Sequence, residues 1–181
     1  MTCIVALVHE GTIHMACDSE ISDNDSSVTM ANPKIAINGE YILGVSQSLR
    51  VLNILHHISL PPVPSLSNLR SFMCIEFVQA IASALDDMPG TSGQEKMEEG
   101  TEILVATLGK IFVIGEDYSV HEAEYPFSAI GGGTLPALGS LFSTENLGPK
   151  ARVIKAVKSA SEFSPGVKGP VQYIKFNQPN D

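Results

Sequence analysis

The sequence predicts an α+β protein in which antiparallel sheets are covered by layers of helices. Strand segments, two helices, further strands, two more helices and a last strand follow one another, and such segregated elements favour stacked layers over a wound parallel sheet. The chain has 181 residues, which is enough for one domain with a core and too few for two ordinary ones. Residues 1–181 are therefore predicted to form a single domain.

The N-terminal third is predicted to be a meander of strands. Four apolar, β-branched segments carry this prediction: residues 2–8, 12–17, 34–37 and 41–45. The turn dipeptide Asn38-Gly39 separates the last two segments, as in a hairpin. The polar stretch 19–27 has no alternating pattern, so we expect a loop there.

Two helices are predicted in the middle of the chain. Apolar residues at helical spacing indicate the first helix: Leu49, Leu52, Leu55 and Ile58. The proline cluster at 61–64 ends it. The second helix is predicted over residues 67–86, with apolar residues on two neighbouring faces, so we expect it to be covered on both sides. The polar segment 88–100 contains Pro and Gly and is predicted to be an exposed loop.

In the C-terminal half, predicted strands are again followed by predicted helices. Further strands are predicted at residues 102–108, 110–114 and 123–130. A glycine turn at 131–133 follows, and Thr134 as a cap with Pro136 in the first turn predicts a helix. An apolar face over residues 150–160 predicts the last helix, and residues 170–176 are predicted as the final strand.

The overall charge and composition exclude several classes of function. A formal net charge of -9 disfavours nucleic acid, whose binding depends on Lys and Arg that neutralise phosphates. No apolar run approaches the about 20 residues that span a bilayer, and the N-terminus lacks the pattern of a signal peptide. We therefore expect a cytoplasmic protein that contacts neither membranes nor nucleic acid. The hydrophobic fraction of 44% is high for this size and suggests surface buried between subunits.

The cysteines and histidines show no pattern of a metal site. Cys3, Cys17 and Cys74 are odd in number and have no metal-ligand spacing, so they are interpreted as reduced thiols. The five histidines lack partner motifs and are interpreted as surface or core residues. We expect neither a metal nor a cofactor.

A hydroxyl side chain stands at the second position of the chain. Thr2 has a small side chain that permits removal of Met1, after which its α-amino group becomes the N-terminus. An α-amino group titrates at about 7.7–8.0, so one residue would then hold both a nucleophile and its base. Taken alone, a threonine after the start methionine is most often an ordinary residue.

The spacing of three residues changes this interpretation. Thr2 begins the first strand segment, Asp18 ends the second and Lys34 begins the third. In this spacing the sequence resembles the proteasome β subunits and the bacterial HslV peptidase, which are N-terminal nucleophile hydrolases. The resemblance extends through residues 41–52, 128–133 and 153–169, and is weakest over residues 60–100. It implies a four-layer αββα sandwich and a threonine endopeptidase.

The resemblance assigns roles to further residues. Gly44 matches the backbone N–H that stabilises the oxyanion, although a glycine needed for close strand packing is a serious alternative interpretation. Ser22 matches a position whose backbone pairs with an extended substrate, while Val45 and Ser46 match the region of the S1 pocket. In this scheme Lys34 favours the alkoxide and a neutral amine, and Asp18 holds Lys34 in place.

Two auxiliary positions depart from the family pattern. The glycine turn of the family carries a serine near the nucleophile, and here that position is Gly132. The loop after the last helix carries an aspartate in the family, and here the alignment places Ser164. The set of groups that relays protons is therefore reduced.

The resemblance also implies partners, and two other functions stay open. Identical subunits would assemble into a ring, with peptides or unfolded proteins as substrates and a separate ATP-dependent unfoldase as a possible partner. The first alternative is a ring-forming scaffold with impaired catalysis, suggested by Gly132 and Ser164. The second is a nucleotide or anion binder that uses the Gly131–Gly133 turn before a helix, although this turn lacks a dinucleotide fingerprint and a P-loop lysine.

Overall fold

A computed structural model describes residues 1–22, 26–87 and 97–177, and these form two main antiparallel sheets. The strands are β1 (Ile4–His9), β2 (Thr12–Cys17), β3 (Glu20–Ser22), β4 (Ser27–Thr29), β5 (Ile35–Asn38), β6 (Tyr41–Ser46), β7 (Glu102–Thr107), β8 (Lys110–Ile114), β9 (Val120–Glu122), β10 (Phe127–Ile130) and β11 (Gln172–Asn177). The first sheet has the order β10-β1-β2-β11 and the second β5-β6-β7-β8-β9, while β3 and β4 form a separate hairpin.

Helices cover the outer face of each sheet. Their bounds are α1 (Leu49–His57), α2 (Leu69–Phe72), α3 (Val78–Asp86), α4 (Thr134–Ser143) and α5 (Pro149–Phe163). Ser48 caps α1, since its hydroxyl accepts the Val51 N–H at 3.4 Å. Helices α4 and α5 pack on the first sheet, while α1, α2 and α3 pack on the second. Within the described ranges, no helix combines the length and apolarity that a membrane crossing requires.

The first strand shows how the sequence builds these layers. Successive side chains of a strand point to opposite faces of the sheet. Cys3, Val5 and Leu7 accordingly contact the apolar side chains of α4 and α5. Ile4 and Ala6 face the other way and pack between the two sheets, against residues of β5, β6, β7 and β8. Burial on both faces explains why this segment is apolar throughout and lacks polar alternation.

The predicted αββα sandwich of antiparallel sheets and flanking helices is confirmed, with three differences in detail. The polar stretch 19–27, predicted as a loop, contains β3 and contributes to the β3–β4 hairpin. All three β4 residues are exposed, so no apolar alternation marks this hairpin in the sequence. The predicted strand 123–130 is shorter, because residues 123–126 cross from β9 in the second sheet to β10 in the first.

The predicted helix 67–86 is continuous but changes its winding. A 3₁₀ turn at Leu66–Asn68 leads into α2, and a π-helical turn at Met73–Phe77 connects α2 with α3. This wider turn buries Met73 and Phe77 together. Ile75 on the other apolar face is 62% exposed, so the expectation that both sides of the helix are covered is wrong for this chain. Of the segment predicted as a loop at 88–100, residues 88–96 lie outside the described residues.

The packing between the sheets predicts the effect of enlarging Gly44. A Cβ atom at Gly44 would lie 2.8 Å from Ile4 Cγ2 and 3.2 Å from the Lys34 carbonyl oxygen. We expect Gly44→Ala to lower the free energy of unfolding by about 1–3 kcal/mol, because the two sheets must move apart. Urea unfolding followed by circular dichroism measures the change.

Gly139 in α4 provides the matched control, because a Cβ atom there has nothing within 4 Å. Gly139→Ala should leave stability unchanged or raise it by up to about 1 kcal/mol, since alanine has the higher helix propensity. Equal destabilisation by both substitutions would contradict the packing role of Gly44.

Candidate active site

Thr2 lies just before β1, at the end of the space between the two sheets. Only 8% of its surface is exposed. Its carbonyl oxygen accepts the Gly133 N–H at 3.2 Å, which connects it to the turn before α4. Gly131 approaches the same carbonyl so closely that a Cβ atom there would lie 2.3 Å from the Thr2 oxygen. The glycine turn therefore fixes the backbone of Thr2, and the positive φ of Gly131 (86°) suits glycine.

Lys34 contacts Thr2 from the start of β5 and is almost fully buried, with 3% exposure. Its ammonium group donates to Thr2 Oγ1 at 3.1 Å, to Asp18 Oδ2 at 2.9 Å and to the Glu20 carbonyl oxygen at 2.6 Å. A lysine ammonium has three protons to donate, so all three are used. This geometry orients the charge toward the threonine hydroxyl.

Asp18 is fully buried directly after β2 and forms an ion pair with the Lys34 ammonium. Its Oδ1 accepts the Cys3 N–H at 2.8 Å, and its Oδ2 accepts the Glu20 N–H at 3.3 Å in addition to Lys34. A buried ion pair is tolerated only when its remaining hydrogen bonds are satisfied, and here the backbone on both sides supplies them. The structure therefore brings Thr2, Asp18 and Lys34 together.

A cleft of about 150 Å³ opens beside Thr2 and Lys34. Its walls are formed by Met1, Thr2, Glu20, Ile21, Lys34, Val45, Gln47, Ser48 and Leu49. Met1 is attached to Thr2 and lines this cleft, and in this form the Thr2 nitrogen is an amide. An amide nitrogen has no basic lone pair. In the described form the Thr2 hydroxyl and the Lys34 ammonium therefore lie together, but Thr2 has no free amine.

The three predicted positions in β6 have different environments. Val45 lines the cleft, whereas Ser46 directs its hydroxyl to the Glu102 N–H at 3.3 Å. The Val45 N–H donates to the Lys34 carbonyl oxygen at 3.4 Å. Neighbouring residues of a strand direct their N–H groups to opposite sides, so the Gly44 N–H faces β7, where Leu104 is its partner in register. Close packing of the sheets accounts for a glycine at position 44. For an oxyanion role, the Gly44 N–H would have to turn away from β7.

The remaining predicted residues lie around the cluster. Ser22 ends β3 opposite Ser27. Gly132 is exposed next to Met1, and a Cβ atom there would lie 2.7 Å from Met1 Sδ. Ser164 is buried at the end of α5, where its N–H donates to the Ala160 carbonyl oxygen at 2.8 Å. Ser164 is therefore the C-cap residue of α5.

Three N–H groups at the glycine turn before α4 donate within the protein. Gly131 donates to Glu102, Gly133 donates to Thr2, and the Thr134 N–H donates to the Gly131 carbonyl oxygen at 3.1 Å. A phosphate bound at this helix N-terminus would need such donors. These three N–H groups are therefore not available to a nucleotide or anion.

Glu102 is a residue that the sequence reasoning missed. Its Oε2 accepts the Gly131 N–H at 2.9 Å, and its own N–H donates to the Ser46 hydroxyl. Glu102 begins β7 and thereby joins the second sheet to the turn that holds Thr2. The only signal in the sequence is one acidic residue at the start of an otherwise apolar strand, and that is common at strand ends.

Neither of the cysteines near the site is a competing nucleophile. Burial raises the pKa of the Cys3 thiol to about 12, and the Asp18 carboxylate acts in the same direction. Burial likewise raises the pKa of the Cys17 thiol to about 12. Both thiols are therefore protonated at neutral pH, and the thiolate is the reactive form of cysteine.

Comparison with known proteins identifies the fold. No protein-family model matches the sequence, and no curated protein is significantly similar to it. Among solved structures, Thiobacillus denitrificans BPH in complex with epoxomicin is 23% identical, with a TM-score of 0.79 over 99% of this chain and 100% of that chain. Eukaryotic HslV from Trypanosoma brucei is 14% identical, with a TM-score of 0.69 over 98% of this chain and 100% of that chain.

A third similar structure is Anbu, the ancestral β-subunit from Yersinia bercovieri. It is 15% identical, with a TM-score of 0.67 over 97% of this chain and 81% of that chain. These similarities show that the chain has the fold of the proteasome-like N-terminal nucleophile hydrolases.

The burial of the thiols predicts the pattern of cysteine labelling. At pH 8 a thiol-reactive probe should modify Cys74, which is exposed, and leave Cys3 and Cys17 unmodified, because these two are buried and protonated. Mass spectrometry of peptides should find one labelled cysteine in the folded protein and three after unfolding. The Cys74→Ser variant is the control and should take up no label when folded. Labelling of Cys3 in the folded protein would contradict the geometry.

The hydrogen bond to Gly131 predicts a role for Glu102 in stability. Glu102→Ala removes the acceptor of the Gly131 N–H and should lower the free energy of unfolding by about 1–2 kcal/mol. Glu102→Gln, whose carbonyl oxygen can still accept, should lose less than half of that amount. Denaturant unfolding measures both variants.

The control substitution is Glu145→Ala in the exposed segment between α4 and α5, where we expect almost no change. The role of Glu102 would be refuted by a Glu102→Ala variant as stable as this control.

Proposed function

We propose that this chain is a threonine-type peptidase subunit whose nucleophile is the hydroxyl of Thr2 after removal of Met1. The observation that carries the proposal is the Lys34 ammonium at 3.1 Å from Thr2 Oγ1, in a site where both residues are buried. A buried positive charge beside a hydroxyl stabilises the alkoxide that forms when the hydroxyl attacks. The fold shared with proteasome-like structures supports the same chemistry.

The first half of the reaction forms an ester. Thr2 Oγ1 attacks the carbonyl carbon of the peptide bond, and its proton moves to the free α-amine of the same residue, directly or through a water. The negative charge then lies on the former carbonyl oxygen, where a backbone N–H at the cleft would stabilise it. The C–N bond breaks, the leaving amine takes the proton, and the acyl group stays on Thr2.

The second half restores the enzyme. A water molecule attacks the ester carbon while the α-amine accepts its proton. The C–O bond to Thr2 breaks and releases the new carboxyl group, and the amine returns the proton to Thr2 Oγ1. The positive charge of Lys34 favours the neutral amine by electrostatic repulsion. Asp18 acts as a positioning residue, since its contact with the ammonium fixes Lys34 toward Thr2.

Removal of Met1 is part of the proposal. The Thr2 nitrogen is an amide while Met1 is attached, so the base of the proposed reaction exists only after Met1 is removed. Gly132 lies next to Met1, and the absence of a side chain there leaves room for the uncleaved residue.

The proposed setting is a ring of identical subunits in the cytoplasm, with its active sites inside. Apolar side chains on the outer face of α4 support contacts between subunits, since Leu135 is 82% and Phe142 62% exposed. Substrates would be peptides or unfolded proteins, delivered where needed by a separate ATP-dependent unfoldase.

A catalytically impaired scaffold of the same fold is the second candidate. It is favoured by Gly132 and Ser164, which replace the serine and the aspartate of the resembling family. The intact buried cluster of Thr2, Asp18 and Lys34 favours the enzyme over this scaffold, because a scaffold has no need to bury an ion pair beside a hydroxyl.

The hydroxyl of Thr2 is the group to test. Thr2→Ala should abolish hydrolysis of a fluorogenic peptide and the adduct with a peptide epoxyketone, because it removes the nucleophile. Thr2→Ser, which keeps a hydroxyl, should retain measurable activity and the adduct. Intact-mass spectrometry should find the wild-type chain without Met1. Hydrolysis that survives in Thr2→Ala would refute the assigned nucleophile.

The free amine is tested by a matched pair of proteins with the same residue 2. An N-terminal extension joined to Thr2 through a specific protease site should be inactive, because it caps the amine while keeping the hydroxyl. Cleavage that exposes Thr2 should restore activity. Activity of the uncleaved fusion would show that the amine is not the base.

A further inference from the structure

Glu102 connects the glycine turn beside Thr2 with β6, the strand whose end lines the cleft. Its Oε2 accepts the Gly131 N–H at 2.9 Å, and its own N–H donates to the Ser46 hydroxyl at 3.3 Å. Ser46 is its partner in register on β6. A Cβ atom at Gly131 would lie 3.4 Å from Ser46 Cβ, so the turn packs against β6 at this point. One side chain thus joins the turn to the second sheet.

The same turn holds the peptide group between Thr2 and Cys3. The carbonyl oxygen of this group accepts the Gly133 N–H at 3.2 Å, and its N–H donates to Asp18 Oδ1 at 2.8 Å. A peptide group is planar, so two contacts on opposite sides fix the plane and the Thr2 Cα that lies in it. The nitrogen and the side chain of Thr2 can then turn only about the bond between Cα and the carbonyl carbon.

Removal of Met1 makes these contacts more important. While Met1 is attached, it packs against the turn, since a Cβ atom at Gly132 would lie 2.7 Å from Met1 Sδ. After its removal Thr2 is a chain end that is covalently connected on one side. Its position then depends on the Lys34 contact with its hydroxyl and on the two contacts of its peptide group. Glu102 acts on one of these, because it holds the turn that binds the carbonyl oxygen.

We propose that Glu102 is a positioning residue for the reaction: by holding the glycine turn against the Thr2 carbonyl, it sets the direction of Thr2 Oγ1 and of the free amine. This inference rests on the proposed peptidase function. The contact is a hydrogen bond to a backbone N–H, so the reach of the side chain matters more than its charge. Among the described residues, the walls of the cleft do not include Glu102, so it acts on the chemical step rather than on substrate binding.

Three variants separate the reach of the side chain from its charge. Glu102→Ala removes the acceptor, Glu102→Asp keeps the charge but withdraws it by one methylene, and Glu102→Gln keeps an acceptor oxygen at the same reach. Each protein is made with the cleavable N-terminal extension, and intact-mass spectrometry confirms that Thr2 is exposed. The kcat and KM values are then measured with one fluorogenic peptide.

The expected result is a loss of kcat that follows reach. In Glu102→Ala and Glu102→Asp, kcat should fall by about 10- to 100-fold while KM stays within about twofold, because a small displacement of a reacting group is costly. Glu102→Gln should lose less than about fivefold, since its carbonyl oxygen still accepts. A wild-type kcat in Glu102→Ala, or a higher kcat in Glu102→Asp than in Glu102→Gln, would overturn the proposal. Should Glu102→Ala not fold, this order of the other two variants decides.

Ile81→Val is the control for lost stability. Ile81 is fully buried in α3, on the outer face of the second sheet, and the substitution removes one methylene from the core. Thermal unfolding should show a lower midpoint, while kcat stays at the wild-type value. A loss of kcat in Ile81→Val as large as in Glu102→Ala would attribute the effect to stability and overturn the proposal.

Hydrogen exchange tests the positioning step without turnover. Glu102 does not bind the Gly133 N–H, yet this amide should exchange about tenfold faster in Glu102→Ala, because its contact with the Thr2 carbonyl loosens with the turn. The Ser164 N–H at the end of α5 is the internal reference and should keep its rate. Unchanged exchange at Gly133 would refute the positioning role.

The outcomes separate this inference from the function on which it rests. Hydrolysis that depends on Thr2 but proceeds equally in wild type and Glu102→Ala would refute the role of Glu102 and leave the peptidase intact. Absence of any Thr2-dependent hydrolysis in processed wild type, with no epoxyketone adduct, would refute both.

Discussion

The buried ammonium of Lys34 is the group on which the arrangement of the site depends. It is 3% exposed and donates all three of its protons, to a side-chain hydroxyl, a carboxylate and a backbone carbonyl. These acceptors belong to the N-terminus and to the short connection from β2 into β3. A buried charge with a missing partner is strongly destabilising, so the lysine, just before β5, holds these segments in one geometry. The same constraint places a positive charge against the hydroxyl of Thr2.

The two sheets provide the frame for this cluster. Because β1 is buried on both faces, the N-terminal segment is held between the α4 and α5 layer and the second sheet. Gly44 allows β6 to approach Ile4, and Gly131 allows the turn before α4 to approach the backbone of Thr2. Thr2 is therefore fixed from two sides, and its hydroxyl is held in one position relative to the Lys34 ammonium.

Two glutamates connect the site with the rest of the second sheet and the small hairpin. Glu102 binds the glycine turn through its carboxylate, and Glu20 accepts a hydrogen bond from Lys34 with its backbone carbonyl oxygen. Because Glu102 begins β7, its carboxylate holds the turn beside Thr2 from the second sheet.

The sequence by itself determined the layers, because apolar segments of strand length, the Asn38-Gly39 turn and helical spacing from Leu49 to Ile58 depend on local patterns. Thr2, Asp18 and Lys34 were singled out by a resemblance to the proteasome-like pattern, and their catalytic roles stay a prediction. Only the tertiary structure decided what lies beside them. The β3–β4 hairpin lacks an apolar pattern, Glu102 is 100 residues from Thr2, and the direction of the Gly44 N–H depends on strand register. Contacts between distant segments leave no periodic signal in the sequence, because they are set by how the layers pack.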